Sequence, residues 1–451
     1  MSQDATGPTF DPSKPHQQRP KMRHVRGFPI EAEGRRMLGL SDARQISDQM
    51  VVIVPELGNL IPLLDGTRTI EQVAASFGQG LGVEHVQRVV AQLDHAGLLE
   101  GPAADAMIAK VRADFDAAPN LPPAATEALT DMLVAARVQA EPTEEQKREL
   151  AAEVLREALD KWIDSVLAGA PDQTFPGLPV ALMAPHLDYP RGWVGYASVW
   201  GRMRGIGRPD RVLILGTNHF GSGTGVTICD KGFQTALGTS PVDETFLGAI
   251  KKRLGPDLAA KGLEHRFDHE REHSIELQIP WIQHCLGPDS TGRHVPVLGV
   301  LIHDPAMNQG ESYDGRGLAL APFVEAVRGA MADVGGRTLV VSSADLSHVG
   351  PMFGDQQSLK EGAQGADEFR SRVMNHDRAM LRLVTDLKPD DLVAAMAWQQ
   401  NPTRWCSTGN IVAAIQIARP TSAKLVRYGL SVDPEGMALV SCGGVVMMSG
   451  G

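Results

Sequence analysis

Apolar positions recur along this chain with two different periods, and the change from one to the other divides it. Ile70, Val73, Ala74 and Phe77 fall at i, i+3, i+4 and i+7 behind Thr69 and Gln72, the two ends of a capping box. That spacing predicts a short amphipathic helix. Val86, Val89, Val90 and Leu93 repeat it before Gly97 and predict a second. Upstream, the run from Met50 to Val54, closed by Pro55, reads as a strand. Residues 1–27 carry Pro, Gln, Lys and Arg without periodicity, so a flexible arm without a fold is expected there. Residues 28–102 are expected to form a small independent α+β module.

Between 103 and 178 the texture is helical. Thr143 and Gln146 make a second capping box, and Leu155, Leu159, Trp162, Ile163 and Val166 form one apolar stripe up to Gly169. This stretch reads as a helical connector whose stripe packs on a neighbour, a dimer-forming helix being the sharper alternative. From Pro179 the pattern changes to short β-branched runs separated by helical stretches, which predicts an α/β sheet over 179–451.

Composition narrows the partners. The 451 residues exceed one common domain, and 43% hydrophobic with 22% charged residues is ordinary globular usage. Lys plus Arg number 43 against 54 Asp plus Glu, a net −11, so no global basic field exists to draw the chain onto nucleic acid or an anionic membrane. No apolar run approaches the ~20 residues that span a bilayer, and the polar N-terminus has no apolar leader core. The expectation is a cytoplasmic protein with neither nucleic acid nor membrane as partner. Cys229, Cys285, Cys406 and Cys442 are too widely spaced for a disulfide framework or a paired-cysteine zinc site.

The chemistry lies where polar residues follow strands. Ala184 leads into Pro185-His186-Leu187-Asp188-Tyr189, Leu215 into Gly216-Thr217-Asn218-His219, and Val341 into Ser342-Ser343-Ala344-Asp345-Leu346-Ser347-His348. Three strands thus deliver a histidine just past their carboxyl ends, the edge at which open α/β sheets bind ligands. Glu272 and His273 stand at the head of a predicted helix. Neighbours on a helix diverge by about 100°, so both reach one cleft only if they lie in the turn before it. Cys406 precedes the apolar helix that starts near Ile411, where positive potential favours a thiolate. The other three cysteines read as buried and inert.

These residues carry a resemblance. MAPHLDYPRGWVGYA, ILGTNHFGSG, TALGTSPVDE, EREHSIELQIPWIQ, VVSSADLSHVG and RWCSTGNIVAAI occur in the order and approximate spacing of the Memo family, and VRYGLSVDPEGMALVSCGGVVM resembles its closing strands. The resemblance covers about 180–449 and implies an α/β fold similar to the class III extradiol dioxygenases. It implies a metal site of His186, His219 and Cys406, with Asp345 and His348 lining the same pocket. The chain departs from the family where LGPSHH has become Leu215-Gly216-Thr217-Asn218-His219-Phe220, and where Ser407 and Thr408 follow the cysteine. LLDGTRTIEQVAASFG and EHVQRVVAQLDHAGLLEG, over roughly 30–102, resemble the winged-helix-like peptide-recognition modules of the PqqD type.

Two imidazoles and a thiolate make a three-ligand site with room for a fourth partner, softer than a two-His-one-carboxylate triad. Iron or copper is the expected ion, zinc the third candidate. One functional reading is a metal-dependent redox or oxygenase-type enzyme, with His348 as general acid/base, Asp345 and Glu272 orienting histidines, and His273 beside them. The other is a copper- or iron-handling or scaffold protein whose cleft recognises a peptide or protein, with the N-terminal module supplying further recognition. The resemblance extends to the AmmeMemoRadiSam system protein B type, which implies radical-SAM and AMMECR-type proteins as partners.

Overall fold

The computed structural model describes residues 7–450 apart from 33 and 79. By contacts the chain divides into two compact units, Met1–Ala118 and Pro119–Gly451. The first holds α1 (Pro15–Gln18), the antiparallel sheet β1 (Val25–Ala32), β2 (Arg35–Asp42), β3 (Met50–Ile53), and helices α2 (Ile70–Phe77), α3 (Val83–His95) and α4 (Pro102–Ala117). Thr69 and Gln72 form the expected capping box on α2. Ile70, Val73, Val86, Val90 and Leu93 are fully buried in one core with Leu40, Val51 and Ile53 of the sheet.

The arm expected over 1–27 is corrected by the described residues 7–27. Met22 N donates to the Leu64 carbonyl and Arg23 N to that of Leu98, while the buried Gln17 amide donates to Asp94 at 2.6 Å. A segment without apolar periodicity is here ordered by backbone and polar-side-chain hydrogen bonds, which periodicity does not report, and by single apolar anchors, Phe10, Met22 and Val25, packed on the core.

The second unit runs through β4 (Asn120–Leu121), α5 (Ala125–Val138), α6 (Glu144–Leu167), β5 (Ala181–Ala184), α7 (Tyr189–Trp200), β6 (Arg211–Thr217), β7 (Thr227–Ile228), β8 (Gly232–Thr235) and β9 (Gly238–Ser240). It continues with α8 (Glu244–Leu263), α9 (His273–Glu276), α10 (Ile279–Leu286), β10 (Val297–Ile302), α11 (Leu320–Val334), β11 (Thr338–Ser343) and β12 (Asp345–Val349). It closes with α12 (Ala366–Thr385), α13 (Pro389–Gln399), α14 (Thr408–Ala418), β13 (Ser422–Val432) and β14 (Leu439–Met448). The main sheet has the order β12-β14-β5-β11-β6-β10-β7, with β13 on β14. β5, β11, β6 and β10 are parallel, and β14 turns the sheet antiparallel. Every residue of β5, β10 and β11 is buried, because helices cover both faces, and such strands read as continuous apolar runs rather than alternations.

Two sequence expectations differ here. The stretch 103–178 does not bridge two bodies. α4 belongs to the first unit, while α5 and α6 belong to the second, where Ile163 and Leu167 meet Gly201 just past α7. A Cβ there would lie 2.8 Å from Ile163 Cγ2, so a larger residue would push the Ile163 side chain aside. The sequence places His348 just past the carboxyl end of its strand. Ala344 instead turns the chain into β12, which pairs antiparallel with β14 and sets His348 opposite Val440. Among the described residues, no helix is long and apolar enough to cross a membrane.

Candidate metal centre

The carboxyl ends of β5, β11 and β6 lie side by side, so residues just past them are neighbours whatever their separation in sequence. His186 follows β5, and its ring is fixed by an Nδ1–H donated to the Ser343 carbonyl at the end of β11, 3.0 Å away. Nε2 is then the bare nitrogen, and it faces Cys406 Sγ at 3.3 Å. His219 follows β6. Its Nδ1 meets Glu272 Oε1 at 3.0 Å and its backbone N–H donates to Oε2 at 2.8 Å. The ligand-capable atoms of His186, His219 and Cys406 all lie within 4.8 Å of one another.

Glu272 and His273 both reach this cleft. Glu272 is the N-cap of α9 and accepts from Ser274 N at 2.8 Å, so it sits in the turn before the helix rather than on it. His273 stacks on His219 with ring centroids 4.8 Å apart, and lies 5.5 Å from the His186 ring. His219, Glu272 and His273 make a second compact donor group that shares His219 with the first.

Cys406 is placed by a network that its own motif supplies. Asn410, in the first turn of α14, donates to Thr217 Oγ1 and to the Ser343 carbonyl, both at 2.9 Å, and Thr217 Oγ1 donates to the Cys406 carbonyl at 3.0 Å. One amide thereby ties the cysteine loop to the ends of β6 and β11. Gly409 lets the helix approach, since a Cβ there would stand 2.1 Å from the His303 carbonyl oxygen. Cys406 is partly exposed, whereas Cys229, Cys285 and Cys442 are buried. Burial pushes the thiols of Cys229 and Cys285 up to about 12 and raises that of Cys442 as well.

Burial governs the electrostatics. It pushes His186 well below the ordinary imidazole value, and the neighbouring His219 and His273 act in the same direction. Burial would also depress His219, but the Glu272 carboxylate and the Cys406 thiol together outweigh it and hold that ring well above its usual value. Glu272 is itself buried, which disfavours its charge, yet His219 and His273 draw it far below the carboxylate range. Asp345 accepts from His186 N at 3.1 Å with its other oxygen 3.7 Å from Nε2, and burial lifts it to about 7. His348 is not among the donors of the three-ligand group. Its Nδ1–H donates to the Leu346 carbonyl at 3.0 Å, its ring packs edge-on against Phe353, and burial lowers it to about 4.

A buried hub behind the cleft was missing from the sequence reading. The Asp377 carboxyl group on α12 accepts from Ser347 Oγ, Trp405 Nε1, Tyr428 Oη and Ser441 Oγ at 2.5–2.7 Å. Ser347 precedes His348 and Trp405 precedes Cys406, so the hub joins both segments to the closing hairpin β13–β14. A signal existed: Val373, Asp377, Met380, Leu381 and Val384 share the buried face of α12, and Asp377 is the one charge on that stripe.

A family model described as Memo-like protein matches residues 149–447. A MEMO1 family protein of Methanopyrus kandleri is 28% identical over 271 residues, covering 58% of this chain and 79% of that protein. One from Thermotoga maritima is 31% identical over 206 residues, 45% of this chain and 66% of that protein. One from Caldivirga maquilingensis is 30% identical over 270 residues, 58% and 80% respectively. The family match begins inside α6, and α5 precedes it.

Proposed function

The chain belongs to the Memo-like protein family, and on that footing we propose that its strand-end cluster holds one transition-metal ion through His186, His219 and Cys406. The observation that carries the reading is the fixing of both imidazoles from behind. Ser343 and Glu272 take the two Nδ1 positions, which aims each Nε2 at the side occupied by the thiol; that of His186 is bare, and that of His219 would give up its proton to an ion. Two such nitrogens with a sulfur form a borderline-soft donor set that suits iron, copper or zinc. An ion held there would supply redox or Lewis-acid chemistry with a coordination position left for a ligand.

The chain's own residues set the rest. Glu272 orients His219 and balances its charge. Asp345, lifted to about 7 by burial, can exchange a proton beside His186 near neutral pH. His348 is neutral there, and with Nδ1–H committed to Leu346 its Nε2 is an acceptor. An oxidoreductase, which the resemblance to the Memo family implies, is the enzymatic form of the proposal.

Metal analysis of the anaerobically purified full chain tests it, with oxygen uptake measured on the same samples. About one ion per chain is expected after dialysis, lost in His186→Ala, His219→Ala and Cys406→Ala. Full stoichiometric metal in His186→Ala would refute the ligand set. A scaffold or metal-handling role is the second reading, favoured by the separate core of the first unit and by Met50 and Val52, exposed apolar side chains on its edge strand β3. Metal binding without oxygen uptake favours that reading.

A further inference from the structure

Beside the proposed metal site lies a cavity of about 360 Å3, one side of which comes from outside the family match. Ala125, Ala128 and Met132 of α5 form one side, and Tyr189, Pro190 and His273 face them. Helix α5 is anchored to the helix that carries His273. The Glu276 carboxylate receives the backbone N–H groups of Ala124, Ala125 and Thr126 at 2.9–3.0 Å, and the Thr126 hydroxyl at 2.5 Å. A carboxylate at a helix N-terminus satisfies donors that the helix itself cannot, and it favours the helix dipole. Glu276 lies one turn from His273, so this cap fixes α5 relative to the cleft.

The lining is apolar by disposition as well as by composition. Tyr189 spends its hydroxyl on the Leu277 carbonyl and presents its ring. Asp188 also lines the cavity, but its carboxylate is taken by the Arg191 guanidinium. The imidazole in the lining is His273, which stacks on His219 of the metal cluster. An open apolar cleft with one imidazole in its lining can orient an amphiphilic molecule, and its volume suits a one- or two-ring group.

We propose that this cavity binds an aryl group of the ligand or substrate of the metal site, the polar end of that molecule lying against His273 and His219. For what lies at the polar end, this rests on the metal-binding reading above. The cavity itself rests on α5, a part of this chain that the family match leaves out.

Binding of 4-phenylimidazole against imidazole tests it on the full chain, with and without added iron, by calorimetry and ligand-observed NMR. 4-Phenylimidazole is expected to bind at least about tenfold more tightly, because its ring leaves water. Ala128→Phe, a change at an exposed helix position, should fill the cavity and cut that advantage below about twofold with metal content unchanged. Met132→Lys should do the same by charging the wall. Equal affinities in the wild type overturn the proposal, as does an undiminished advantage in both variants when their melting curves match the wild type. Metal content on the same samples separates the two readings. A preference for the phenyl compound in a chain that binds no metal, abolished by Ala128→Phe, upholds the cavity while the metal site falls. Full metal with no preference does the reverse.

Discussion

Removing the carboxyl group of Asp377 should destabilise the second unit by about 3–5 kcal/mol. The side chain is fully buried and accepts four hydrogen bonds, from Trp405 Nε1 at 2.7 Å, Ser347 Oγ at 2.5 Å, Tyr428 Oη at 2.7 Å and Ser441 Oγ at 2.6 Å. In Asp377→Ala the three hydroxyls can rotate towards other acceptors. The Trp405 indole N–H cannot, and one stranded buried donor costs about 1–3 kcal/mol. Partial loss at the hydroxyls and the small void bring the sum to the stated range. All six tryptophans, from Trp162 to Trp405, lie in the second unit, so tryptophan fluorescence follows its unfolding without assuming that the whole chain unfolds in one step. At about 2.1 cal/mol/K per residue, a unit of this length should lose about 4–7 °C in Tm. Asp377→Asn, which keeps one acceptor oxygen but turns N–H towards two donors, should fall between. A shift in Asp377→Ala below about 1 °C would refute the reasoning, because it would mean that the four bonds are replaced at no cost.

Glu272→Gln should weaken metal binding by about 10–100-fold in a chelator competition, since it loosens the support of His219 without removing a ligand, and unchanged affinity would contradict that role. Under native conditions Cys406 should be the thiol that iodoacetamide labels, slowly when metal is present. Peptide mass spectrometry should find Cys229, Cys285 and Cys442 protected, and equal rates for all four would refute the assignment. Gly409→Ala should lower stability by about 2–3 kcal/mol and impair metal uptake, because its Cβ would meet the His303 carbonyl oxygen at 2.1 Å; an unchanged melting curve would show that α14 can shift freely.

The residues that meet at the cleft were legible because each sits where a regular element stops. His186 and His219 follow apolar runs, and Cys406 precedes an apolar helix, so sequence position carries spatial information through the rule of strand ends. The helices α2, α3 and α6 were legible through their caps and stripes. What lacked a local signal was whatever long-range pairing decides. Asp345 to Val349 form a strand only because β14 supplies a partner nearly a hundred residues later, and residues 7–27 are ordered by isolated hydrogen bonds and apolar contacts to distant parts of the first unit. Helix α5 gives no sign in its own sequence that its N-terminus is capped by Glu276, some 150 residues on. Asp377 had a signal, a charge on an apolar stripe, which a search for ligand-type motifs passes over.

X-ray absorption of the zinc-loaded full chain tests the metal site most directly, because it reports donor atoms rather than affinity. One sulfur at about 2.3 Å with nitrogen donors at about 2.0–2.1 Å is expected, and the sulfur shell should vanish in Cys406→Ser while nitrogen remains. A wild-type spectrum with light donors alone would contradict the assignment of Cys406, and with it the site of His186, His219 and Cys406.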